Sequence, residues 1–148
     1  GGGAPEVLAT VDTITQPTSA NGALIFNETP LVSGTAITHT AGSPDVPITQ
    51  TGIYQAFFTG TALIDEGTTI PSTLTVRLTL NETPITGAVA RHTFTASNEE
   101  VTLSINAPFP VTGTGTLKVV TRDAGYSFEN ASLTIIRLGD STNIRTTA

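Results

Sequence analysis

The chain has 148 residues, no Cys and no Met, with 38% apolar and 12% charged residues and a net charge of −6. That length suits one domain with a sizeable core, and so low a charge is unlike a disordered chain. The missing Cys excludes disulfide staples, thiolate zinc and thiol catalysis, no run approaches the roughly 20 apolar residues of a bilayer span, and the six cations, Lys118 and five Arg, are scattered along the sequence, unlike the basic face that nucleic acid or an anionic membrane requires.

Thr supplies 30 residues, about one in five; it is β-branched, disfavours helix and suits a pleated, half-buried surface. Apolar residues recur at period two, and Gly, Pro, Asn or Asp interrupt them at intervals typical of short strands in a sandwich or barrel. Residues 1–6 read as a flexible lead, either the end of a stalk or a residual cloning sequence. The folded domain is then expected over 7–138. Its first strand, within Glu6 to Ile14, alternates Val7, Ala9 and Val11 against Leu8, Thr10 and Asp12. A loop over 16–22 leads to a short apolar strand, Ala23 to Phe26, stopped by Asn27-Glu28-Thr29-Pro30. Short strands at Thr35 to Thr40 and Val46 to Thr49 flank a turn at Ala41 to Asp45.

Gly52 to Thr61 is the strongest strand signal, with Ile53, Tyr54, Ala56, Phe57 and Phe58 apolar on both faces, so both faces need cover. Ser72 to Asn81 alternates cleanly and is expected to bury only the face of Leu74, Val76, Leu78 and Leu80. A turn at Asn81 to Pro84, a return strand over Ile85 to Ala96, and strands at Glu100 to Asn106 and Thr114 to Thr121 follow. Ala131 to Leu138 is again apolar on both faces, and 139–148 is a polar C-terminal tail. About ten strands in one domain fit two antiparallel sheets packed face to face.

Val46 followed by Gly52-Ile53-Tyr54-Gln55-Ala56-Phe57-Phe58 resembles the central motif of the C1q/TNF-like jelly rolls, G-x-Y-x-F-x-[FY] with a Phe six residues before the Gly. Gly52, Tyr54 and Phe58 match; Val46 and Ala56 stand where that family has Phe. A Leu-rich strand with Asn81-x-x-Pro84-Ile85, a strand ending Ile105-x-Ala107-Pro108, and a closing Ser132-Leu133-Thr134-Ile135-Ile136-Arg137-Leu138 follow in the family's order. The Thr-rich, Cys-free character is similar to the C-terminal domains of bacterial collagen-like spore-surface (exosporium) glycoproteins of the BclA type. The resemblance implies an all-β, two-sheet antiparallel jelly-roll sandwich that forms a tight homotrimer and caps a collagen-like stalk. It implies that Ile53, Gln55, Phe57, Thr134 and Ile136 face the threefold axis or a neighbour, while Tyr54, Ala56, Phe58, Leu133 and Ile135 form the protomer core.

Catalytic chemistry has little to stand on. The carboxylates Asp65-Glu66, Glu99-Glu100, Asp123 and Glu129 fall at turns, where solvated charge is the ordinary role. His39 and His92 lie in strands beside no nucleophile motif, and two His without Cys make no usual structural zinc site. Asp65, Glu66, Asp123 and Glu129 are the only plausible calcium donors. No Gly-rich phosphate loop precedes a helix. Three N-x-[ST] sequons begin at Asn27, Asn81 and Asn130. The expectation is a non-enzymatic structural or interaction module without metal or cofactor, partnered by itself and by surface glycans or a host receptor, outside the cell or on a spore. A trimeric viral fibre or head-decoration tip on a virion surface, and a carbohydrate-binding module, are the rival expectations.

Overall fold

A computed structural model describes residues 3–147. Every regular element among them is a strand: β1 (Val7–Asp12), β2 (Gln16–Pro17), β3 (Gly22–Ala23), β4 (Glu28–Ser33), β5 (Val46–Ile48), β6 (Gly52–Ile64), β7 (Ser72–Leu80), β8 (Thr83–Phe94), β9 (Glu100–Val111), β10 (Gly115–Thr121) and β11 (Tyr126–Gly139). The pairings are antiparallel and make two sheets. The larger runs β4-β1-β11-β6-β9, with β2 beside β11; the smaller runs β3-β10-β7-β8, with β5 beside β10. The all-β, two-sheet antiparallel sandwich is thus the architecture of the chain.

Packing of the two inner faces makes one core. Tyr54, Ala56, Phe58, Leu133 and Ile135 are fully buried in it, alongside Leu74, Val76, Leu78, Leu117 and Val119 of the smaller sheet. Each large apolar side chain so buried stabilises the fold by about 1.5–3 kcal/mol. The Phe58 and Phe128 rings meet edge to face with centroids 6.1 Å apart. That approach needs Gly60, where a Cβ would lie 2.8 Å from two atoms of the Phe128 ring and 3.0 Å from Phe58. Gly52 is needed for a different reason: a Cβ there would stand 2.7 Å from both Arg137 Nε and the Gly139 carbonyl oxygen.

Several strand boundaries depart from the sequence expectation. Of the expected 23–26 strand only Ala23 lies in a ladder, with Gly22 before it, against β10. Leu24 and Phe26 are buried all the same, because the Gln16 side chain takes the place of a neighbouring strand. Its Oε1 accepts from Ile25 N at 3.0 Å and its Nε2 donates to Ile25 O at 2.8 Å. Conversely, Asn27 to Pro30, read as a stop, runs into the edge strand β4 (Glu28–Ser33). Its Pro30 falls where the β1–β4 register shifts, and Pro is tolerated at edges and bulges. The expected 35–40 strand shrinks to one bridge, Ile37 with Ile48.

β7 also differs from the expectation of one buried face, since Thr75 and Thr79 on its outward side are only 4% and 6% exposed. The turn after it is the two residues Asn81 and Glu82, with φ of 51° and 68°, the left-handed pair that matches strand twist in a hairpin. Asn81 Oδ1 accepts from Thr116 N at 2.9 Å, tying the hairpin to β10.

Candidate functional site

Strand alternation turns Ile53, Gln55 and Phe57 of β6 away from the core, onto the outer face of the larger sheet. There Phe57 stands opposite Thr134 and Gln55 opposite Ile136 of β11. The next strand on each side extends the same rows. On β1, Ala9 lies beside Thr134 and Val7 beside Ile136; on β9, Asn106 lies beside Phe57, Pro108 beside Gln55 and Pro110 beside Ile53. Leu31 of β4 continues the row beyond Ala9. The result is an uncharged, largely apolar half-face crossing all five main strands. Phe57 is 42% exposed and Leu31 49%.

The sequence pointed to β6 and β11 but not to β1 or β9. β1 is inverted relative to an ordinary half-buried strand. Leu8, Thr10 and Asp12 face the core, and the apolar set Val7, Ala9 and Val11 faces out. The polar pair has internal partners at Thr10 Oγ1 and Asp12 Oδ2, while Asp12 Oδ1 is buried without one. Thr10 Oγ1 donates to Glu28 O at 2.7 Å and Asp12 Oδ2 accepts from Gln16 Nε2 at 2.6 Å. The alternation of Leu-Thr-Asp against Val-Ala-Val, read alone, points the all-apolar set to the core, so the local pattern gives the wrong facing for β1. Past Phe57 the face changes character: Thr59 pairs with Ser104 and Thr61 with Thr102 through their hydroxyls.

The half-face ends in a polar cluster where β6 begins and β11 ends. Arg137 Nη2 donates to Thr51 O at 2.9 Å and to Asp140 Oδ1 at 3.0 Å. The Asp140 bond holds the guanidinium more firmly protonated than usual. Burial pushes the Tyr54 phenol above its ordinary pKa, with Arg137 opposing, and its hydroxyl donates to Gln50 O at 2.7 Å.

The other candidate residues are dispersed. His39 bonds Thr29 Oγ1 at 2.7 Å and Ser43 O at 2.9 Å, which makes it a brace for the 34–45 loop. His92 Nε2 is hydrogen-bonded to the Glu99 carboxyl. Glu99 also accepts from Thr95 N at 2.9 Å and from Ala96 N at 3.3 Å; the Thr95 bond, then the His92 bond, holds its carboxyl below the usual range. Asp65 Oδ1 accepts from Ser127 Oγ at 2.6 Å, while Glu66, Asp123 and Glu129 are exposed. Among the described residues no three His, Asp or Glu side chains gather into a metal-sized cluster. At the sequons, Asn27 and Asn81 use their side-chain amides as local clamps, to Thr13 and Thr114, and Asn130 is exposed on β11.

The cations scattered in sequence are not scattered in space. Arg77, Arg91 and Lys118 all sit on the outward side of the smaller sheet, at register positions marked by Val89, Thr75 and Thr79 respectively. Lys118 is ion-paired to Glu82 and lies 3.7 Å from Asp45. The Glu82 bond raises its pKa.

No protein-family model matches the chain, and no curated protein matches it. Solved structures do. The globular domain of zebrafish complement 1qA superposes with TM-score 0.70 at 10% identity, covering 93% of this chain and 99% of that one. Murine APRIL at pH 5.0 gives TM-score 0.70 at 13% identity over 90% and 99%. The PRD1 vertex protein P5 gives 0.59 at 17% identity over 93% and 100%. The chain therefore has the C1q/TNF-type jelly-roll fold.

Proposed function

We propose that this chain is a non-catalytic structural and interaction module that works as a homotrimer, with the apolar half-face of the larger sheet turned toward the threefold axis. The observation that carries this reading is the inverted strand β1. It buries Thr10 and Asp12 while presenting Val7, Ala9 and Val11 outward, beside Ile136 and Thr134. A strand so arranged makes sense when something covers its outer side, because an uncovered apolar patch is an aggregation hazard. Ile53, Gln55, Phe57, Thr134 and Ile136 are its centre, and Val7, Ala9, Leu31 and Pro108 its flanks. The threefold arrangement follows the resemblance to the C1q/TNF-like jelly rolls. Light scattering tests it: a trimer mass is expected at micromolar concentration, and a monomer mass overturns it.

Within that reading, the module is the outward-facing head of a collagen-like surface filament, exported and displayed outside the cell, with a spore surface as its setting. The resemblance of the Gly52 motif and of the closing strand supports this. Gly-x-y triplets encoded immediately upstream are the expected finding, and a coiled coil or a capsid gene context instead overturns the stalk. A virion-surface role is the second reading, favoured by the likeness to the PRD1 vertex protein P5, which extends over 100% of that chain.

A further inference from the structure

We propose that the outward face of the smaller sheet is a binding site for acidic polysaccharide, whose carboxylate or sulfate groups are held among Arg77, Arg91 and Arg122. Four of the chain's six cations meet on this face of a protein with net charge −6. Arg91 lies directly across from Thr75 on β8. Arg122 flanks Thr75 on the other side, its N–H donating to Thr75 O at 3.1 Å. Arg77 follows two residues along β7, between Val89 and Val120. Strand spacing of about 4.8 Å puts the Arg91 and Arg122 backbones roughly 10 Å apart, with Arg77 about 7 Å along the strand.

Two of these cations are without a counter-ion: among the described residues Arg77 and Arg91 join no ion pair. Arg122 has only a loose one, 3.9 Å from Asp123, and its side chain is 69% exposed. A free guanidinium offers a planar fork that fits carboxylate or sulfate oxygens two at a time.

The composition of the face selects the occupant. Its positions between the cations are Thr, Val, Ala23 and Pro84, with no aromatic ring. Single-stranded nucleic acid is held largely by stacking on aromatic side chains, so this face offers it little. Duplex DNA, with a charge every 1.7 Å or so, would bring an acidic protein into a strongly repelling field. A carboxylated polysaccharide such as hyaluronan spaces its charges by whole sugar rings, and sulfated and carboxylated polysaccharides alike carry hydroxyls that Thr73 and Thr93, themselves bonded at 2.9 Å, can meet. The proposal does not rest on the trimer, because this face is on the opposite sheet.

Binding of the intact protein to heparin (sulfated), hyaluronan (carboxylated), neutral dextran, oligothymidine and phosphatidylserine vesicles tests the site. Heparin, hyaluronan or both are expected to bind at low salt and weaken as salt rises, and the arm that binds identifies the anion. The double change Arg77→Gln with Arg91→Gln is expected to weaken binding about tenfold or more. Arg145→Gln, which removes an equal charge type from the tail, leaves it unchanged. Arg91→Gln alone, at an exposed position, gives an intermediate loss and guards against misfolding of the double variant. Absence of binding to either acidic sugar at low salt overturns the proposal. So does an equal loss in Arg145→Gln, or tighter binding to oligothymidine or vesicles. Scattering on the same samples reports the assembly separately.

Discussion

Replacing Phe57 by Glu separates assembly from folding. Phe57 points away from the core and is 42% exposed in the protomer. With roughly 200 Å² for a Phe side chain, that leaves about 85 Å² to bury, worth about 2 kcal/mol at 25 cal/mol per Å². Three copies around an axis lose about 6 kcal/mol, or roughly four orders of magnitude in the trimer dissociation constant. The introduced carboxylates, drawn close together, add repulsion. Light scattering across a dilution series is expected to show a trimer for the native chain and a monomer for Phe57→Glu, with the thermal unfolding of the isolated protomer little changed. The matched control is Val89→Glu, at an apolar position of the smaller sheet that is 36% exposed; its mass stays that of a trimer. A Phe57→Glu trimer of undiminished stability, or dissociation of both variants alike, refutes the assignment of this face.

Three further outcomes follow from local geometry. Gly60→Ala drives a Cβ to 2.8 Å from the Phe128 ring and is expected to cost about 1–3 kcal/mol in chemical denaturation; an unchanged midpoint contradicts the close-approach role. Glu82→Gly relieves a non-Gly residue at φ 68° and loses only an exposed bond to Lys118. A net gain of about 0.5 kcal/mol is expected, and a loss of stability means the ion pair outweighs the strain. Glu99→Gln is read against pH. Because the folded carboxyl has a lowered pKa, its contribution is complete above the unfolded value near 4.5 and fades as pH falls through the folded value. The native chain is therefore more stable than the variant at neutral pH, and the two melting curves converge in acid. A gap that persists at low pH excludes this linkage.

Period-two alternation was enough to place β6, β7, β9, β10 and β11, because each buries a run of large apolar side chains on one side. It failed where a side chain does the work of a strand. Leu24 and Phe26 are core residues in a loop because Gln16 satisfies the backbone of Ile25, and no local pattern announces that. It failed again at β4, where Pro30 reads as a breaker but occupies an edge irregularity. Of the outer apolar half-face, residues of β6 and β11 were accessible through a double-apolar pattern. The contributions of Val7, Ala9, Leu31 and Pro108 depend on which strands become neighbours. The cationic face was invisible for the same reason: Arg77, Arg91 and Arg122 are far apart in sequence and meet only through the β8-β7-β10 order.

The adjacency of the first and last strands has a mechanical consequence. β1 and β11 are neighbours, Val7 opposite Ile136, and Arg137 N–H donates to Glu6 O at 2.9 Å where the ladder begins. A pull applied through both ends opens this ladder like a zipper, one rung at a time, and meets little resistance. A pull between the N-terminal end and a ligand on the smaller sheet loads the whole sandwich instead, with many rungs and the packed core sharing the strain. A head tethered at its N-terminal side and gripped on its far sheet would hold fast under a load that detaches the same domain when drawn by its own tail.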